Sequence, residues 1–148
     1  MKRGMTWISL AVAMLLLAGI TILFLGYPPQ AEAQKTCSVG SVRGTYGFHI
    51  QGWVSSGTGR QPVAQVGQIV ADGFGRMNLS FTMSADGEII RTTFCAGYQV
   101  NPDCTGSLTP DPGTWAGPAD FAIVEGGKQL LIIASSEGTT LSGVAIRQ

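Results

Sequence analysis

From Arg76 to Ser84 the chain alternates without a break. Met77, Leu79, Phe81 and Met83 are apolar, and Asn78, Ser80 and Thr82 between them are polar. Successive side chains of an extended strand point to opposite faces, so this segment has one buried and one wet face. Its flanks fix where it stops. Asp72-Gly73-Phe74-Gly75 precedes it and Asp86-Gly87 follows it, and both are turn sequences. The segment therefore sits in the middle of an antiparallel meander.

The rest of the chain repeats this pattern. Gly44 to Val54 alternates with Tyr46, Phe48 and Ile50 on one face, and Ala64 to Ala71 reads as the next strand. Glu88 to Val100 follows Asp86-Gly87 and ends at Asn101-Pro102-Asp103, where proline presets the turn. Phe121 to Val124 and Gln129 to Ala134 flank Glu125-Gly126-Gly127-Lys128, and Thr139 to Arg147 is the last strand. Seven or eight strands result, with no amphipathic helix among them. Short connections make successive strands neighbours. An open meander of this size would leave two bare edges, whereas closure removes both. The fold expected is an all-β antiparallel meander closed into a seven- or eight-stranded barrel; a β-sandwich is the alternative. Glycines within the strand patterns (Gly47, Gly52, Gly67, Gly97, Gly143) suit the sharp bends of a small barrel.

An apolar N-terminal segment precedes the barrel. Lys2 and Arg3 lead into an apolar run from Trp7 to Leu25, and Gly26, Pro28 and Pro29 end any helix there. Ala31-Glu32-Ala33 has the small-x-small pattern of a signal-peptidase site, so 1–33 reads as a signal peptide. The run is long enough that residues 7–25 could instead remain as an uncleaved membrane anchor. Either way a single domain, 34–148, works outside the cytoplasm. The whole chain has nine basic and nine acidic residues, and removing Lys2, Arg3 and Glu32 with the leader leaves a net charge of −1. That balance excludes the clustered basic face of a nucleic-acid binder and a polybasic membrane patch. Membrane contact is confined to the N-terminal segment if it is retained.

Cys37, Cys95 and Cys104 all lie in the exported part, where disulfides persist. Cys37 and Cys104 fall at strand ends and Cys95 within a strand, which favours a Cys37–Cys104 bridge; Cys95–Cys104 stays open as the alternative. With no CxxC, no Cys/His grouping and one histidine, no metal site or cofactor is expected.

Chemistry-bearing residues are few. His49, the one histidine, alternates with Tyr46, Phe48 and Ile50 and so faces away from the core, and no GxSxG elbow is present. No catalytic residue is assigned. Ser55 to Arg60 lacks the ending of a phosphate-binding loop and reads as a flexible loop. Asp72, Asp86, Asp103 and Asp111 are in turn sequences. Asp120 lies between Ala119 and Phe121, where an outward strand-edge position is the commoner outcome for an aspartate; the hypothesis to test is that it enters the barrel and pairs with Arg91 or Arg43. Trp115, in the Pro/Gly-rich stretch from Pro110 to Pro118, is placed either as a lid at a barrel mouth or in core packing. Asp120, Arg91 and Trp115 are thus the candidate ligand-binding residues.

The sequence also resembles a family of small secreted bacterial all-β proteins of unknown function. The likeness rests on Cys37, Gly44-Thr45-Tyr46-Gly47-Phe48, Gly52, Ala71-Asp72-Gly73, Gly75, Gly97-Tyr98 and Val100-Asn101. It continues through Asp103-Cys104-Thr105-Gly106, Ala119-Asp120-Phe121 and Ser142-Gly143. Cys95 departs from the pattern. The resemblance implies a signal peptide and an all-β domain, and carries over no catalytic residue. More distantly the layout is similar to calycin and allene oxide cyclase-type barrels, an architectural likeness that does not transfer function.

Three functions fit: a binding module for a small hydrophobic ligand, a cavity enzyme of the cyclase or isomerase kind, and a packed structural protein of the cell envelope. Interior volume separates the third from the others. Large inward residues (Met77, Leu79, Phe81, Met83, Tyr98, Phe121, Ile123) predict a largely filled interior, and so a non-catalytic protein.

Overall fold

A computed structural model describes residues 36–57 and 59–148; the expected signal segment, with its apolar helix, lies outside them. After a 3-10 turn at Val39–Val42 come eight strands: β1 (Arg43–Ser56), β2 (Gly59–Asp72), β3 (Arg76–Ala85), β4 (Glu88–Val100), β5 (Thr105–Pro110), β6 (Ala119–Val124), β7 (Gln129–Ala134) and β8 (Thr139–Arg147). Each pairs antiparallel with the next, and β8 returns to β1, with Phe48 opposite Ala145. The sheet is a closed up-and-down barrel, and closure leaves no edge exposed. Among the described residues no helix is long and apolar enough to cross a membrane.

The alternation in β3 holds throughout: Met77, Leu79, Phe81 and Met83 are buried and Arg76, Asn78 and Ser80 exposed. On β1 the even positions Tyr46 and Phe48 are buried and His49 is exposed, as its parity requires. Gly67 and Gly143 show why the wall needs glycine. A Cβ on Gly67 would collide with the Ser80 carbonyl oxygen and Phe81 Cβ, and one on Gly143 with the His49 carbonyl oxygen.

One local expectation changes. Ser55, Ser56, Gly59 and Arg60 belong to strands rather than to the expected flexible loop, since β1 runs on to Ser56 and β2 starts at Gly59, with Ser55 opposite Arg60 in register. The strands outrun their apolar cores because ladder hydrogen bonds continue through small and polar residues. The eighth strand is β5, whose Thr-Gly-Ser-Leu-Thr-Pro sequence has almost no strand signature; Gly106 opposite Phe121 gives that ring room.

Candidate functional site

The two ends of the barrel differ. At one end stand the β2–β3, β4–β5 and β6–β7 turns and the 3-10 turn, which closes the interior like a plug. Val42 and Tyr46 are fully buried there. The Tyr98 hydroxyl lies 3.2 Å from both the Val39 and Val42 carbonyl oxygens, and the Tyr46 hydroxyl donates to the Gly127 carbonyl at 2.8 Å. Burial pushes both phenols above their ordinary pKa, with the Arg147 guanidinium, 5.8 Å over the Tyr46 ring, acting against the rise at Tyr46. Cys37, bonded to Cys104, tethers the plug to the β4–β5 turn, and its amide donates to the Pro102 carbonyl at 3.2 Å. Cys95 is free and exposed. A disulfide so placed is consistent with an oxidising compartment.

The opposite end is open. It leads into a cavity of about 350 Å3 walled by Phe48, Ile50, Leu79, Phe81, Met83 and Ile132 among others. Phe81 is the centre of an aromatic cluster, edge-on to Phe48 at 6.0 Å, Phe94 at 5.8 Å and Trp115 at 6.0 Å. The largely filled interior expected from the sequence is therefore found in only half the barrel. Met77, Tyr98, Phe121 and Ile123 fill the plugged half, whereas toward the mouth Ala85, Ala119 and Ala134 are too small to meet across it. Gln61, Gln65, Ser136 and Thr139 are the polar side chains on the lining, and no titratable one joins them among the described residues.

Trp115 stands where a lid would stand. It belongs to the long β5–β6 connection, borders the cavity and keeps an exposed face. That connection is pinned at both ends. Asp111 accepts two hydrogen bonds from the Arg76 guanidinium, at 2.7 and 2.6 Å, and its amide donates to the Cys95 carbonyl at 3.0 Å. The bidentate bond from Arg76 holds the Asp111 carboxyl below the usual aspartate range. At the far end the Pro118 carbonyl accepts from the Ser135 amide at 3.0 Å.

The other two candidates fall elsewhere. Asp120 does not enter the barrel: it is exposed on the outer face, opposite Ser107 and Ile133. Its neighbours Ala119 and Phe121 point inward, and alternation forbids all three from doing so. Arg91 is exposed on the outer face of β4, opposite Thr82, and Arg43 is exposed at the plugged end; neither makes an ion pair with Asp120 among the described residues. Trp115 alone of the three meets the cavity.

Gln61 and Gln65 are residues the sequence reading missed. They share parity with Val63, Ile69 and Ala71 on the inward face of β2, and that parity was the available signal. The Arg76–Asp111 clamp had none, because its partners are 35 residues apart. No protein-family model matches the chain, and a search of curated proteins gives no match.

Proposed function

We propose that the chain is an exported, non-catalytic binding protein, of the small secreted β-protein kind its motifs resemble, that carries a small apolar or amphipathic molecule in the open half of its barrel. The observation that carries this reading is the mouth-facing cavity of about 350 Å3, apolar in its lining and without a titratable side chain. Its volume falls at the small end of ligand pockets. General acid–base catalysis and activation of a hydroxyl nucleophile such as Ser136 or Thr139 both need a titratable group to take the proton, and among the described residues this lining has none. A barrel packed solid is the reading it disfavours most. The disulfide and the apolar leader sequence support export.

Calorimetric titration with naphthalene, 2-naphthol and 2-naphthoate tests the proposal. The expected result is saturable one-to-one binding by at least one of them, with a matching rise in melting temperature. A ligand at a hundred times its Kd adds about 2.7 kcal/mol to stability. Ala85→Phe, which narrows the mouth, should weaken it. No binding by any of the three would overturn the reading.

A further inference from the structure

Gln65 is an odd residue to find inside this barrel. Its neighbours on the inward face of β2 are Val63, Gly67 and Ile69, and its side chain borders the apolar cavity. Among the described residues its amide bonds only to the Met83 thioether, with Nε2 at 3.3 Å from Sδ. A thioether is a weak acceptor, so a strong donor is poorly matched, and the second N–H and both lone pairs of Oε1 are left over. No fully buried side-chain polar atom lacks a partner among the described residues, so the amide's spare capacity opens into the cavity. Burying it under a purely apolar ligand would cost its hydration.

The charges around the site are equally informative. Among the described residues no Lys, Arg or His lines the cavity. Arg60, Asp86, Glu88 and Glu137 stand exposed in or beside the turns around the mouth, three carboxylates to one guanidinium. Arg43, Lys128 and Arg147 belong to the plugged end, Arg91 faces outward from β4, and Arg76 is committed to Asp111. An anionic head group would have to cross an acidic rim and shed water with no cation to meet it. A cationic one would find no carboxylate within.

We infer that the cavity selects a neutral ligand, an apolar body bearing one hydroxyl or carbonyl, and that the Gln65 amide is its hydrogen-bonding anchor. The inference rests on the carrier reading above and names the class of molecule carried. An amide suits the task because it donates and accepts at once, and so takes either group without adding a charge to the apolar wall.

The three naphthalenes separate the possibilities, since they share one ring system and differ in the head group. At neutral pH the expected order of affinity is 2-naphthol, then naphthalene, then 2-naphthoate, with about ten-fold or more between the neutral alcohol and the anion. The preference for 2-naphthol over naphthalene should be roughly three- to ten-fold, the range of one net hydrogen bond. In Gln65→Leu that ratio should collapse to about one, and Gln65→Met, which also lacks the amide, provides the same measurement if the leucine variant does not fold. Tighter or equal binding of 2-naphthoate, or a 2-naphthol preference that survives both substitutions, would overturn the neutral-ligand inference and leave the carrier intact. Failure of all three to bind would overturn both.

Discussion

Breaking the Cys37–Cys104 bridge should cost this domain a large share of its stability. The two residues are 67 positions apart, and constraining the unfolded chain across that span is worth about 4.4 kcal/mol in the loop-entropy account. Only part of the structure near the bridge depends on it. Val42 and the Tyr98 hydroxyl keep the plug seated through packing and hydrogen bonds, so the native state should survive the cut with its barrel intact. The expected loss is thus chiefly the entropic one, about 3–5 kcal/mol, and a fall in Tm of roughly 10–20 °C. Urea unfolding of wild type, Cys37→Ser, Cys95→Ser and the Cys37→Ser/Cys104→Ser double variant measures it. The double variant prevents Cys104 from pairing anew with Cys95. It should lose about what Cys37→Ser loses, because both remove the same bond. Cys95→Ser, at an exposed free thiol, should stay within about 0.5 kcal/mol of wild type. A loss below about 1 kcal/mol in the double variant, or an equal loss in Cys95→Ser, would mean that the bridge does not stabilise the fold by constraining the unfolded chain.

Tyr46→Phe leaves the buried Gly127 carbonyl without its donor and should destabilise by about 1–3 kcal/mol in a urea melt. Because burial raises the folded pKa of Tyr46 and Tyr98 above 10.0, the stability they give is complete below that value and lost as pH rises through the folded values. Alkaline melts should show this limb in wild type and a weaker one in Tyr46→Phe/Tyr98→Phe. Asp111 behaves oppositely: its carboxyl is lowered below 3.8, so its contribution is full above that value and lost as pH falls through the folded one. The acid limb should be shallower in Asp111→Asn, and steady-state fluorescence anisotropy in a Trp7→Phe/Trp53→Phe background, where Trp115 is the remaining tryptophan, should show Trp115 less restrained. Asp120→Ala should change stability by no more than about 0.5 kcal/mol, since the side chain is exposed; a loss of several kcal/mol would restore the buried pair.

Much of the wall was legible because strand parity is a local property. The Met77–Met83 row, the outward His49 and the hairpin at Asp72 to Gly75 follow from alternation and turn chemistry, and Asp72 Oδ1 duly accepts from the Phe74 and Arg76 amides at 2.7 and 3.0 Å. Asp120 was misplaced by reading its apolar neighbours as a buried environment when period two makes those neighbours inward and Asp120 outward. Strand β5 was missed because pairing on both sides, not propensity, holds Thr105–Pro110 extended. The cavity was not legible at all. Whether inward side chains meet depends on which heights of the barrel their strands reach, and register between eight strands is written in no single segment. The large residues were identified correctly, but the small ones toward the mouth, Ala85, Ala119 and Ala134, were not weighed against them.

On the carrier reading proposed above, a ligand enters the barrel at the end away from the disulfide and stops at the plug. Methyl-resolved NMR of the 13C-labelled protein during titration with 2-naphthol tests it directly. Ile50, Leu79, Met83, Ile132 and Leu141, which line the cavity, should shift in a saturable way, while Val42, Met77 and Leu130 in the plugged half stay in place. Saturable shifts confined to the outer face, at Val66, Leu131 or Ile133, or no shift in any lining methyl, would contradict it.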